Sequence, residues 1–121
     1  KVIVLDNTNV RYLSLEKVDP SINVITCDVS FISLSKALKK IVEESNADLS
    51  LIALIKPQFE LSRDKIGKNG IVNSLEFRKE AVNNVKKWFL KNQWEIKNLA
   101  ESPIQGAKGN IEYLIYCKKL S

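Results

Sequence analysis

Three ionisable residues stand where short apolar runs stop or start, and together they could do proton chemistry. Asp28 follows the run Ile22-Asn23-Val24-Ile25-Thr26-Cys27, Lys56 follows Leu49 to Ile55, and Glu112 begins the run that ends at Cys117. A lysine between two carboxylates suits deprotonation or orientation of a hydroxyl nucleophile. Desolvation favours the neutral amine and the carboxylates favour the ammonium, so their balance sets which role is open to it. Each residue also has an ordinary reading: Asp28 as a turn cap, Lys56 as a solvated strand-end lysine, Glu112 as a surface carboxylate. The chain has no histidine, which excludes Ser-His and Cys-His catalysis within it and the usual His-rich zinc sites. No metal site is expected.

The elements that would position these residues alternate in type. Val2 to Leu5 reads as a strand, ended by the turn-forming Asp6-Asn7-Thr8-Asn9, and Ile22 to Cys27 as a second strand. Leu34, Leu38, Ile41 and Val42 recur at helical spacing, with Ser33 as N-cap and Asn46-Ala47-Asp48 closing the helix. Leu49 to Ile55 is nearly all apolar, which predicts a strand covered on both faces. Pro57 stops it, because proline lacks the ladder donor. Phe59 to Gly70 reads as a long loop of the kind that often carries function. Asn73 or Ser74 then caps a helix whose apolar stripe is Phe77, Ala81, Val85, Trp88 and Phe89.

Trp94 to Leu99 and Ile111 to Cys117 read as the closing strands, joined by the turn Ser102 to Asn110. That turn is too short for a parallel crossover, so the last strand should run antiparallel. The expected class is α/β, with a mostly parallel sheet and a last antiparallel strand. In such a sheet the ends of the parallel strands and the start of the antiparallel one share an edge. Ligands of open α/β sheets bind there, and Asp28, Lys56 and Glu112 would converge on it.

Composition sets the frame. A length of 121 residues with 45% hydrophobic content fits one domain. No apolar run approaches the roughly 20 residues a membrane span needs. The net charge of +5 is compatible with a polyanionic partner and does not demand one. Lys36-Lys39-Lys40, Lys86-Lys87 and Lys118-Lys119 read as solvated helix faces and a frayed end. Cys27 and Cys117 sit inside apolar runs and read as buried thiols of a reducing compartment, hence a cytoplasmic protein. Trp88, Phe89 and Trp94 read as core packing. There is no initiating Met, so the chain reads as a piece of a longer protein.

Several spaced blocks occur in order: Asn9-Val10-Arg11, Asp28-Val29-Ser30-Phe31-Ile32-Ser33-Leu34, Leu54-Ile55-Lys56-Pro57-Gln58-Phe59-Glu60, Gly67-Lys68-Asn69-Gly70-Ile71-Val72, Ser102-Pro103-Ile104-Gln105-Gly106 and Gly109-Asn110-Ile111-Glu112. Together they resemble the FtsJ-like methyltransferase domain of the TlyA-type haemolysin/rRNA methyltransferase family. The resemblance implies a partial Rossmann-like methyltransferase sheet and S-adenosylmethionine-dependent 2′-O-ribose methylation of ribosomal RNA. It places Asp28, Lys56 and Glu112 in the family's Lys-Asp-Lys-Glu catalytic set. Lys56 would deprotonate or orient the ribose 2′-hydroxyl, and Asp28 and Glu112 would hold the lysine. Asp6 and Asn7, with Asp28, would meet the cofactor. Arg11, Arg63, Lys65, Lys68 and Lys108 lie in loops and could neutralise RNA phosphates, with mobile solvated charges as the alternative.

The family's S4-like RNA-binding domain, its glycine-rich cofactor loop and its first catalytic lysine have no counterpart in these residues. By resemblance Val2 to Leu5 is the third strand, and two central strands are missing. The isolated chain is therefore expected to be inactive and not to bind S-adenosylmethionine detectably. Ile22 to Cys27 is expected to lie at an exposed sheet edge, which favours self-association. Three rival readings compete. A receiver-like phosphoacceptor domain would carry its Lys-Pro near the chain end, whereas Lys56-Pro57 is central. A non-enzymatic haemolysin-like or RNA-binding module finds no strongly cationic amphipathic helix here. Base N-methyltransferases commonly carry Asn/Asp-Pro-Pro-aromatic where this chain has Lys56-Pro57-Gln58-Phe59, and a lysine suits a hydroxyl acceptor better.

Overall fold

The structure is a computed structural model that describes residues 2–5, 24–45 and 49–120. Its strands are β1 (Val2–Leu5), β2 (Val24–Cys27), β3 (Ser50–Ile55), β4 (Trp94–Glu101) and β5 (Tyr113–Lys119). They form a five-stranded sheet in the order β1-β2-β3-β5-β4. β1, β2 and β3 run parallel, and β5 lies antiparallel between β3 and β4. The expected α/β class and its antiparallel last strand are both present.

Among the described residues three α-helices accompany the sheet: α1 (Leu34–Ala37), α2 (Lys39–Glu44) and α3 (Leu75–Lys91). The crossover from β2 to β3 carries α1 and α2, and the crossover from β3 to β4 carries α3. Both step the same way across the sheet, and right-handed connections that step one way place their helices on one face. The core lies there. Ile25, Leu51, Ile55, Ile115 and Trp94 pack against Leu34, Leu38, Ile41, Val42, Val85 and Phe89. Cys27 and Cys117 are buried free thiols within it, and burial pushes each up to about 12. Neither is set up for reactivity at neutral pH.

Several sequence expectations need correction. β3 is not covered on both faces. Leu51, Ala53 and Ile55 are buried, but Ile52 is 38% exposed and shares its outer row with Tyr116 of β5. The exposed edge expected along Ile22 to Cys27 is also absent from its described part, because β2 is flanked by β1 and β3. Among the described strands β1 and β4 stand at the two ends of the order.

The helix read through Leu34 and Val42 is two short helices that meet at Leu38 (φ −106°, ψ 10°). The break is mild, since hydrogen bonds from Leu38 N–H to Leu34 O and from Val42 N–H to Leu38 O run through it. Ser33 occupies the N-cap position but its side chain makes no capping bond. Ser74 does cap α3, accepting from Phe77 N–H at 3.3 Å. Lys118 and Lys119 do not fray into solvent but belong to β5. Lys119 Nζ donates to Asn92 O at 2.9 Å and stands 5.9 Å from the Trp94 ring centre. Asn46 to Asp48, read as closing the first helix, lie outside the described residues.

Candidate active site

β2 and β3 end side by side, with Cys27 in register with Ala53. The residues that follow each strand therefore leave the sheet together. Asp28 emerges from β2 and Lys56 from β3. Lys56 Nζ lies 2.6 Å from Asp28 Oδ1 and donates to Ser30 Oγ at 3.0 Å. The lysine side chain is 13% exposed and the aspartate 68%. A largely enclosed ammonium is thus paired with a carboxylate that stays mostly in water.

Two further contacts brace this wall. Pro57 opens a 3₁₀ turn, Pro57–Phe59, as befits a residue with fixed φ and no donor. The turn brings Phe59 to within 5.1 Å of the Phe31 ring, centre to centre. Just beyond it, Glu60 Oε2 accepts from Leu34 N–H at 2.8 Å and so takes the capping role that Ser33 was expected to fill. Burial pushes the Glu60 carboxyl up to about 7, against the opposing pull of that N–H. Phe31 itself has φ 66° and is 86% exposed. A non-glycine residue in the left-handed region is strained, and here the strain accompanies an aromatic face held open to solvent.

Glu112 forms the wall on the side of the antiparallel strand. It stands one residue before β5 rather than in it, and is only 4% exposed. The start of the antiparallel strand does share the sheet edge with the ends of β2 and β3, because Tyr113 pairs with Ile55. Glu112 nevertheless does not bind the lysine. Its described hydrogen-bond partner is Gln58, whose Nε2 donates to Glu112 Oε2 at 3.1 Å. Gly106 lies directly above the carboxylate, since a Cβ there would overlap Glu112 Oε2. Asn110 holds this loop in place. It is buried, accepts from Val72 N–H at 3.0 Å and donates to Gly70 O and Ala107 O.

Between the walls lies a cavity of about 590 Å³, lined by Asp28, Ser30, Phe31, Lys56, Gln58 and Glu112, with residues of the 102–107 loop. The three residues singled out from sequence therefore share one cavity. Asp6, Asn7 and Arg11 lie outside the described residues. Arg63, Lys68 and Lys108 are exposed, and Lys108 adjoins the cavity wall at Ala107, whereas Lys65 is tied to Glu80 at 2.7 Å. Sequence reasoning missed Ser30, Gln58 and Gly106. The available signal was a polar Gln58 packed between Pro57 and Phe59 where the turn leaves an apolar strand. Among the described residues no group of three or more His, Cys, Asp or Glu could hold a metal ion.

The amine–carboxylate pair stands at the strand-end edge of an open α/β sheet, where such sheets bind ligands. The chain belongs to the FtsJ-like methyltransferase family, whose model matches residues 1–119. It is similar to the 16S/23S rRNA (cytidine-2′-O)-methyltransferase TlyA of Mycobacterium tuberculosis, 31% identical over 118 residues that cover 98% of this chain and 44% of the relative. It is also similar to Hemolysin A of Brachyspira hyodysenteriae, 37% identical over 117 residues, 96% of this chain and 49% of that protein. The chain spans less than half the length of these two relatives. A crystal structure of a candidate hemolysin from Lactococcus lactis superposes with a TM-score of 0.85 at 33% identity, over 98% of this chain and 57% of that one. Among the described residues no helix is long and apolar enough to cross a membrane.

Proposed function

We propose that this chain carries the acceptor side of an S-adenosylmethionine-dependent ribosomal-RNA 2′-O-ribose methyltransferase. The observation that carries the proposal is the clamp on Lys56: Asp28 Oδ1 and Ser30 Oγ engage its Nζ at the wall of a cavity that Glu112 also lines. An ammonium has three N–H donors. Two are used by Asp28 and Ser30, which leaves the third for an acceptor oxygen in the cavity. This favours Lys56 as the residue that orients the ribose 2′-hydroxyl rather than as its base.

Bound S-adenosylmethionine supplies an electrophilic methyl group on a sulfonium. When held there, with Asp28 at the strand end, it would supply the methyl that the ribose oxygen takes up, the C–S electron pair passing to its sulfur. The hydroxyl proton leaves to the Glu112 carboxylate, which the lysine does not occupy. Holding the oxygen in line accounts for most of the acceleration, as positioning commonly does. Of the residues assigned to the cofactor, Asp28 is the described one. Its charge and exposure fit contact with a polar ligand group at the strand end. The exposed face of Phe31 suits stacking by an unpaired base, and Arg63, Lys68 and Lys108 suit its phosphates. A ribosomal RNA substrate places this work in the cytoplasm.

Lys56→Ala in the protein at its natural length tests the proposal. Transfer of labelled methyl to ribosomal RNA should fall by about two orders of magnitude or more. Unchanged transfer would overturn it. The 121-residue chain alone has no GxGxxG-like glycine-rich cofactor-loop pattern, so it is proposed not to hold the cofactor unaided. Micromolar binding to the purified chain by calorimetry would contradict that.

A further inference from the structure

Gln58 sits two residues beyond Lys56 on the Pro57–Phe59 turn and is buried. Its Nε2 donates to Glu112 Oε2, while its Oε1 is equally enclosed and meets no donor among the described residues. An enclosed carbonyl oxygen without a donor costs stability. Reversing the amide would not relieve this, because Oε1 would then face a carboxylate oxygen, acceptor against acceptor. The amide is therefore aimed for the benefit of Glu112 and at its own expense. Gly106 completes the grip from above by leaving no side chain where the carboxylate lies.

We infer that Gln58 is the positioning residue of Glu112: it fixes Oε2 and leaves Oε1 to receive the acceptor's proton. This rests on the methyl-transfer reading above. A hydrogen bond to the charged form of a carboxylate stabilises that form, so loss of the donor should show as a pH effect. The other titratable groups around Glu112 are Lys56 and Asp28 on the facing strand ends, Glu60 beyond the turn, Glu101 and Tyr113 paired between β4 and β5, and Lys108 on the loop. None of them is altered by a change at Gln58.

The test is Gln58→Leu in the protein at its natural length, with kcat and KM for ribosomal RNA followed across the pH range. The expected result is a kcat about tenfold lower on the acid side, recovering as pH rises, with KM unchanged. The acid limb of the profile then moves up by about one pH unit, the same tenfold expressed in protons. An equal loss at every pH, a change in KM alone, or no change would overturn the inference. Gln58→Glu is nearly isosteric and is the variant to read if the leucine form melts below the assay temperature. Its like charge should move the acid limb further in the same direction, and an unmoved limb there counts equally against the inference. Lys56→Ala separates the two levels. If that variant is inactive and the Gln58 variants show no pH-dependent loss, only the role of Gln58 fails. If Lys56→Ala stays active, the methyl-transfer reading fails and takes this inference with it.

Discussion

The two walls of the cavity hold a carboxylate each, and they hold it by opposite means. Asp28 is 68% exposed and is bound by a charge. Glu112 is 4% exposed and is bound by a neutral amide beneath a glycine. Water still screens and solvates the first, so its ion pair adds little to folding and can be devoted to placing Lys56. The second has given up its water, so each neighbour that satisfies or makes room for it supports the fold as well as the site. Changes at the open wall should therefore separate activity from stability, and changes at the enclosed wall should move both.

The largest expected effect comes from a third carboxylate, which takes the enclosed arrangement furthest. Glu60 accepts a backbone N–H, and burial raises its carboxyl from 4.5 to about 7. The folded chain then binds this proton more tightly than the unfolded chain does. Between pH 4.5 and 7 the folded state holds more protons, so stability falls as pH rises through that window, by about 3 kcal/mol in all. Below 4.5 both states are protonated and the penalty is absent. Glu60→Gln should remove this slope, which urea unfolding at the two ends of the window measures. Equal slopes in both proteins would show that Glu60 is not enclosed in the way described.

Next in size is Gly106→Ala. A methyl group there must displace the Glu112 carboxylate or the loop above it. Overpacking of this kind costs about 1–3 kcal/mol. Both the urea midpoint and methyl transfer should drop. Activity lost at full stability would mean that the enclosed wall behaves like the open one.

The open wall was the more legible in sequence. Asp28 and Lys56 each mark an abrupt change from apolar to charged at the end of a strand, and neighbouring parallel strands bring such ends together. The antiparallel setting of β5 followed from the brevity of the turn before it. The enclosed wall gave weaker signals. The bond from Gln58 to Glu112 spans 54 residues and that from Glu60 to Leu34 spans 26, and neither leaves a periodic trace. Reading Ser33 as the cap obeyed a sound local rule that a distant carboxylate overrode. The run Leu49 to Ile55 looks alike whether its strand is covered on one face or two. What bared Ile52 was the direction of the crossovers, which composition does not encode.

Asp28→Asn should have the smallest effect on folding and so sharpens the contrast most. The substitution keeps the side chain's shape and removes its charge, leaving Lys56 to Ser30 and to water. Asp28 is 68% exposed, and water screens the pair from that side; the more enclosed Lys56 keeps Ser30 as a partner, so the melting temperature should fall only slightly. Lys56, however, loses the anchor that aims its remaining donor into the cavity, and a small misplacement of a positioning group can cost about a hundredfold in rate. Methyl transfer should therefore fall steeply in a protein whose unfolding curve is nearly unchanged. A matching loss of stability would place Asp28 among the structural carboxylates, and the two walls would then differ in exposure without differing in role.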